Sequence, residues 1–256
     1  MAIEIDLRGR LALVTGAGGQ LGRVTARTLA ACGADVIVHY HSRREPAEKV
    51  LESVRAAGVR GMLVQADVTD EASVLAMRDA VVAKLGSPDI LVHNAVIQYD
   101  WKPILEQPVT DYESQFRSCV LQTVLMAKAF VPAMIERNCG RIVVTNTECA
   151  MRCWPGESAY AAGKRGLDGI VRVLAREIGP HQITVNQVAP GWMISDQHRG
   201  PDGVQPQPAY EQSVPMGHRG EDVEIAHAIA FLASDLAKFI TGVYLPVCGG
   251  AVMPGI

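Results

Sequence analysis

Seven short apolar runs constrain this chain more than any other feature. They fall at 10–15, 36–40, 61–66, 89–93, 141–145, 183–188 and 243–247, and all but that at 183–188 are apolar at consecutive positions. A strand that is apolar at consecutive positions is buried on both faces, and in a parallel sheet such runs are separated by helices that cover those faces. Between the runs lie helix-compatible stretches: an apolar pattern through Leu21, Val24 and Leu29, a charged stretch at 45–57, one opened by Asp70 as an N-cap, a long one at 111–137, and one at 157–178. No repeat, low-complexity tract or linker divides residues 1–256. The expected fold is therefore α/β: a single doubly wound, Rossmann-type domain with a seven-stranded parallel sheet and helices on both faces.

Composition narrows the function. With 48% hydrophobic and 20% charged residues and a net charge of −3, the chain has the make-up of a globular protein and no electrostatic footprint for nucleic acid or an anionic membrane. The first residues lack the basic and apolar regions of a signal peptide, and no apolar run approaches the ~20 residues of a membrane span, so a cytoplasmic location is expected. The six cysteines (Cys32, Cys119, Cys139, Cys149, Cys153 and Cys248) have no disulfide-framework rhythm and read as free thiols. His39 and His41 form an HxH without a third ligand nearby in sequence, so no metal is expected.

Tyr160 and Lys164 are four apart in the 157–178 stretch, which puts them on one face of a helix, one turn from each other. A phenol near its reference pKa of ~10 is a poor proton carrier at neutral pH. A nearby ammonium favours the phenolate, which makes the pair a candidate general acid/base. The same spacing also arises where a half-buried Tyr merely lies beside a solvated Lys. A second candidate is the glycine-rich stretch 15–22 after the first strand, where the backbone can turn tightly and approach a pyrophosphate at a helix N-terminus. The longest irregular segment, 190–220, carries four prolines between 201 and 215 and follows the sixth strand. It is expected to form a substrate lid at the carboxyl ends of the strands.

Taken together, these stretches resemble the short-chain dehydrogenase/reductase family, in its single-domain branch that includes the 3-oxoacyl-carrier-protein reductases. The resemblance spans essentially the whole chain: the 15–22 turn, Asp67-Val68, Asn94-Ala95, the Tyr160/Lys164 pair, Asn186, Pro190-Gly191, and an ending through 231–235, 240–242 and Gly249-Gly250. It implies an oxidoreductase that interconverts a ketone or aldehyde carbonyl and a secondary alcohol by hydride transfer. In that reading Tyr160 is the general acid/base, Lys164 binds the nicotinamide ribose and lowers the Tyr160 pKa, and Thr147, thirteen residues before the tyrosine, supplies the hydroxyl that orients the substrate oxygen. Gly16, Gly19, Gln20 and Leu21 would form the phosphate turn. Asp67 and Val68 would meet the adenine, Asn94 and Ala95 would line the cofactor, and Pro190, Gly191, Met193 and Ile194 would cover the nicotinamide.

The chain departs from the family pattern at four places. Gln20 replaces a glycine and brings a side chain to the phosphate turn, with Gly18 and Gly19 available to compensate; Val96 replaces the glycine of Asn-Ala-Gly; Ser195 replaces a frequent Thr. Cys119 stands where the family has an Asn that helps hold a water near the active-site lysine, and a thiol is a poor hydrogen-bond partner. A catalytically impaired NADP-binding regulatory or scaffold protein of the same fold is therefore the alternative function.

At the end of the second strand, where NAD-preferring relatives place an acid, the chain has Tyr40-His41-Ser42-Arg43-Arg44. The missing carboxylate and the cations imply NADP(H) rather than NAD(H). The resemblance further implies a homotetramer, to which Val120, Leu125, Phe130, Leu167, Val171 and Leu174 would contribute if they exceed what the core needs. Trp154, Trp192, Met193, Tyr210 and Met216 are pocket candidates for a small carbonyl or alcohol substrate whose identity the sequence does not specify, and Glu148 could bind a polar group of it or face solvent.

Overall fold

The computed structural model describes residues 3–201 and 203–255; Asp202, inside the expected lid, and residues 1, 2 and 256 lie outside the described residues. All seven expected strands form: β1 (Leu11–Val14), β2 (Asp35–Tyr40), β3 (Gly61–Gln65), β4 (Ile90–His93), β5 (Gly140–Thr145), β6 (Ile183–Pro190) and β9 (Tyr244–Val247). They make one parallel sheet in the order β3-β2-β1-β4-β5-β6-β9. Val14 of β1 pairs with Val38 on one side and Val92 on the other, so the chain reverses its winding between β1 and β4. Sheets of this kind bind ligands in the crevice outside the strand carboxyl ends at such a reversal.

The strand runs are continuous in hydrophobicity because each face has its own core. Ala12, Val14, Val36, Val38, Val92 and Val143 point to one side, which is covered by α1 (Gln20–Ala31), α2 (Arg44–Ala56) and α9 (Asp222–Ala233). Leu13, Ile37, Leu91, Ile142 and Val144 point to the other, covered by α3 (Glu71–Leu85), α5 (Gln122–Arg137) and α7 (Ser158–Ile178). A fully buried ring such as Phe130 contributes about 2–3 kcal/mol by leaving water. Val120, Phe130, Leu167 and Val171 are fully enclosed in this chain, and Leu125 and Leu174 pack on the same core. Four of the six are therefore core, while Leu125 and Leu174 keep part of their surface open; among the exposed apolar residues of the same helices are Phe116 and Val173.

Asp70 caps α3 as its sequence suggests, its carboxylate accepting from the Ser73 N–H at 2.7 Å. The long helical stretch is not one regular helix. It runs as α4 (Val109–Gln115), a π-helical segment (Phe116–Leu121) and α5, and the widened turn contains Cys119. The whole rod, Val109–Arg137, is by length and composition long and apolar enough to cross a bilayer. Here its apolar side instead packs against the sheet. Gly163 of α7 lies against the rod: a Cβ there would sit 3.0 Å from the Gln115 carbonyl oxygen.

The segment after β6 is more ordered than its prolines suggest. It holds a 3-10 turn (Asp196–His198), a hairpin of β7 (Arg199–Gly200) with β8 (Gly203–Val204), and the short helix α8 (Pro208–Glu211). A further short helix, α6 (Cys149–Arg152), follows β5.

Candidate active site

The turn after β1 is built for close approach. Gly16 has φ +63° and lies against Ala95, while a Cβ on Gly22 would sit 2.3 Å from the Gly16 carbonyl oxygen. Gly19 precedes α1 with no side-chain cap, and no acid occupies the first turn, so the first amides of α1 face outward for an anion such as a pyrophosphate. Thr15 fastens the turn to the end of β4: its hydroxyl accepts from Asn94 N–H at 2.9 Å and Ala95 N–H at 3.0 Å, and its carbonyl accepts from the Asn94 amide at 3.1 Å. Leu21 is half-buried in the same first turn. Gln20 does not crowd a phosphate. Its side chain donates to Asp222 at the start of α9 and accepts from Arg23 at 2.6 Å, and Arg23 pairs with Asp196. The residue that departs from the family glycine thus ties the phosphate turn to the segment after β6.

His39 has a role the sequence did not disclose. Its Nδ1 accepts the Gly16 N–H at 3.0 Å and its Nε2 reaches the Ala66 carbonyl oxygen at 3.0 Å, while its own carbonyl accepts from Ala17 N–H. Burial lowers its pKa to about 4, so the ring is neutral and bridges two backbone segments. Beyond it, Tyr40 is buried against the α2 side of the sheet with its hydroxyl 3.5 Å from Gln65, so it shapes the β2 end from within rather than presenting its ring. Ser42 and Arg43 are exposed, and Arg43 has no ion-pair partner among the described residues, whereas Arg44 pairs with Glu48 at 2.7 Å. His41 is exposed, with Nε2 4.0 Å from Asp67. At Asp67, burial raises the pKa, but two hydrogen bonds from Thr69 outweigh it and the carboxylate titrates below its usual range. Val68 is buried beside it.

Across the switch point, β5 and α7 bring the catalytic candidates together. Lys164 is buried and its ammonium donates to the Thr145 carbonyl at 2.7 Å, 5.7 Å from the centre of the Tyr160 ring. Burial lowers the Lys164 pKa. Burial also raises the Tyr160 pKa strongly, against the opposing pull of a hydrogen bond with Thr147. The direction is opposite to the expected one, because desolvation of the phenolate outweighs every nearby favourable group. Thr147 is held firmly: its N–H donates to Asn146 Oδ1 at 2.9 Å, its carbonyl accepts from the Tyr244 hydroxyl, and its Oγ1 accepts the Cys149 N–H at 3.2 Å. Asn146 also donates to the Lys164 carbonyl at 3.1 Å, which joins the β5 end to the catalytic helix. The Tyr160 N–H, in the first turn of α7, is capped by the Tyr99 hydroxyl at 2.7 Å.

Cys119 is fully buried in the π segment, its thiol 3.8 Å from Gln115 Oε1, and its carbonyl accepts from Thr123 Oγ1 at 3.3 Å. Such irregular turns occur often at functional sites because they rearrange backbone carbonyls. Val96 replaces a glycine without strain, since it is not among the non-glycine residues with positive φ. Ser195 turns to His198, its hydroxyl 2.8 Å from Nδ1.

The substrate side is aromatic. Trp101 lies over Tyr160 with ring centres 5.9 Å apart and planes 30° from parallel. Trp192 and Trp154 meet Tyr210 edge-on at 5.5 and 6.4 Å, and the Tyr210 hydroxyl accepts the Trp192 N–H at 2.7 Å. Gly191 permits this, since a Cβ there would sit 2.6 Å from that hydroxyl. Glu148 does not face solvent: it is buried and paired with Arg152 at 3.2 Å. Pro190 ends β6, and the Ile194 N–H donates to Gly220 O at 2.8 Å. Met193 and Met216 line, together with Gly191 and Tyr210, a cavity of about 310 Å³ between this segment and 246–250, and Tyr160 is not among its lining residues.

A glycine turn at a switch point, opposite a phenol, a hydroxyl and a buried ammonium on adjacent elements, is the architecture of a nucleotide-dependent oxidoreductase. The comparisons with known proteins agree. A family model described as enoyl-(acyl carrier protein) reductase matches residues 16–252. The 3-oxoacyl-[acyl-carrier-protein] reductase FabG of Salmonella typhimurium is 38% identical over 259 residues, covering 97% of this chain and all of the relative. That of Staphylococcus aureus is 36% identical over 242 residues, covering 94% and 98%. A solved NAD+-bound xylitol dehydrogenase superposes with a TM-score of 0.88 at 33% identity, covering 95% of this chain and 99% of that one. The chain belongs to the short-chain dehydrogenase/reductase family. It is an oxidoreductase of that family, which works with a nicotinamide cofactor.

Proposed function

We propose that the protein is an NADP(H)-dependent enzyme that interconverts a ketone or aldehyde and a secondary alcohol, with Tyr160 as general acid/base. The observation that carries this reading is the convergence of Tyr160, Thr147 and buried Lys164 after β5, in a sheet whose β1 leads into the uncapped first turn of α1. Gly16, Gly19, Leu21, Asp67, Val68, Asn94, Ala95 and the 190–194 strip would hold the cofactor, with Gln20 supporting the turn from outside. When bound, the nicotinamide supplies or accepts the hydride. The outward amides of α1 and the close-approach glycines fit its pyrophosphate, and exposed Ser42 with Arg43, which has no ion-pair partner among the described residues, fits a 2′-phosphate.

In this reading Thr147, fixed through its backbone, orients the substrate oxygen, and Tyr160 gives it a proton during reduction. An upward-shifted phenol stays protonated across neutral pH, which suits donation. Lys164 has three N–H donors and spends one on Thr145, so two remain for ribose hydroxyls. The carbonyls rearranged by the π segment around Cys119 support a water near Lys164 in place of a polar side chain at 119. Residues 190–220 act as the lid, latched through Asp196 to Arg23. A cytoplasmic homotetramer is the proposed assembly, built on exposed apolar side chains such as Phe116 and Val173.

Oxidation of NADPH and NADH with a carbonyl panel tests the reading. A higher kcat/KM with NADH refutes the cofactor assignment, and tight NADPH binding without turnover of any carbonyl favours the impaired regulatory protein. Light scattering at micromolar concentration tests the assembly, and a mass near 27.5 kDa refutes it.

A further inference from the structure

Resting on the carbonyl-reductase reading, we propose that the substrate is a neutral ketone whose carbonyl belongs to a flat ring system that stacks on Trp101, rather than a linear acyl thioester or an open-chain keto-polyol. All three tryptophans of the chain sit at the carboxyl edges of neighbouring strands around the site: Trp101 after β4, Trp154 after β5 and Trp192 after β6. They are 47%, 43% and 42% exposed, so each keeps close to half its surface uncovered. Large aromatic surface left open at a cleft marks a place where a ligand is covered. Trp101 is tilted only 30° from the Tyr160 ring at 5.9 Å. With the two ring centres 5.9 Å apart, a ring system whose carbonyl is bound at the Tyr160 hydroxyl has Trp101 as its aromatic neighbour, and a flat ring gains more from such a contact than a saturated chain.

Charge points the same way. Glu148 is buried one residue from Thr147, with Oε2 lacking a hydrogen-bond partner, so a carboxylate or phosphate entering there meets a carboxyl group. The Arg152 guanidinium is committed to Glu148 and stacked 3.6 Å above Trp154. Arg199 and Arg219 are likewise paired, with Glu221 and Glu211. Lys102, next to Trp101, is exposed and outside any ion pair among the described residues, and is a cation that an anionic thioester would use.

The test compares 1-tetralone, acetoacetyl-coenzyme A and xylulose with NADPH, on the unmodified enzyme and on Trp101→Ala and Trp101→Phe, with 2-butanone as a small reference ketone. The expected result is the highest kcat/KM with 1-tetralone. Trp101→Ala should lower it about tenfold, the size of a lost stacking contact, and Trp101→Phe should restore it to within about threefold. 2-Butanone, which has no ring, should lose severalfold less than 1-tetralone in Trp101→Ala, so the ratio of the two substrates separates the stacking contact from any general loss at Tyr160. A higher kcat/KM with acetoacetyl-coenzyme A or xylulose overturns the proposal, as does an equal loss for 1-tetralone and 2-butanone in Trp101→Ala. If no carbonyl is reduced, the failure falls on the reductase reading, and calorimetry of the NADP+ complex still decides the ring: tighter binding of 1-tetralone than of the two linear compounds upholds it, and the reverse overturns it.

Discussion

Mild acid should loosen the phosphate turn through His39. Burial takes this imidazole from 6.5 down to about 4, although the hydrogen bond to Ala66 partly opposes the shift. A folded-state pKa below the unfolded value means that the unfolded chain binds more protons between those two pH values. The stability tied to neutral His39 is therefore complete above pH 6.5 and drains away as the pH falls toward 4. Between pH 7 and pH 5 the loss is about 2 kcal/mol for one such histidine. His93, fully buried with neither ring nitrogen hydrogen-bonded among the described residues, shows the same fall to about 4 and contributes a similar amount. Urea unfolding at fixed protein concentration, at pH 7 and pH 5, measures the sum. His39→Asn should be less stable at pH 7 by ~1–3 kcal/mol, because Gly16 and Ala66 lose a buried partner, yet its decline toward pH 5 should be shallower by about 2 kcal/mol. A variant that declines as steeply as the unmodified protein refutes the assignment. The Michaelis constant for NADPH should also rise on acidification, since a protonated Nδ1 no longer accepts the Gly16 N–H.

Other substitutions probe the chemistry. Tyr160→Phe should cost at least ~100-fold in carbonyl reduction while NADPH binding persists, and intact reduction at saturating NADPH would refute the mechanism. Cys119→Asn should change kcat by less than about tenfold, ~1.4 kcal/mol, because the π segment rather than the side chain arranges the local carbonyls. With the Tyr160 pKa raised by burial, reduction should stay level from pH 6 to 9 while alcohol oxidation climbs throughout; an oxidation plateau near neutrality in pH–rate profiles would contradict this. Gln20→Ala should raise the NADPH Michaelis constant and quicken proteolysis at 196–212 by releasing Asp222 and Arg23; unchanged digestion would disprove the latch.

The strands were legible because their side chains meet a core on both faces, and that requirement is written into consecutive apolar residues such as Leu11 to Val14. Tyr160, Lys164 and Thr147 were legible because helix periodicity and family spacing fix them. The π segment was not: its one-residue widening leaves the apolar pattern of the rod intact. His39 looked like half of a weak metal motif, because its partners, Gly16 and Ala66, are joined to it only by the sheet. Trp101 and Tyr99 lie about sixty residues before Tyr160 in a stretch with no periodic signal, and only the fold of 94–108 carries them back to it. The short hairpin and α8 escaped notice since elements of two to four residues carry too little pattern to compete with the prolines around them.

Gly163 lies between Tyr160 and Lys164, the proposed catalytic pair of α7, and rests on the Gln115 carbonyl just ahead of the π segment. The contact sets the depth at which the catalytic helix seats, so the phenol and the ammonium share one reference height above the sheet. An added methyl group would act like a shim, tilting the helix and moving both reactive groups together while leaving their mutual spacing almost untouched. Position 163 should accordingly be sensitive to a side chain larger than hydrogen, although no substrate or cofactor atom needs to touch it.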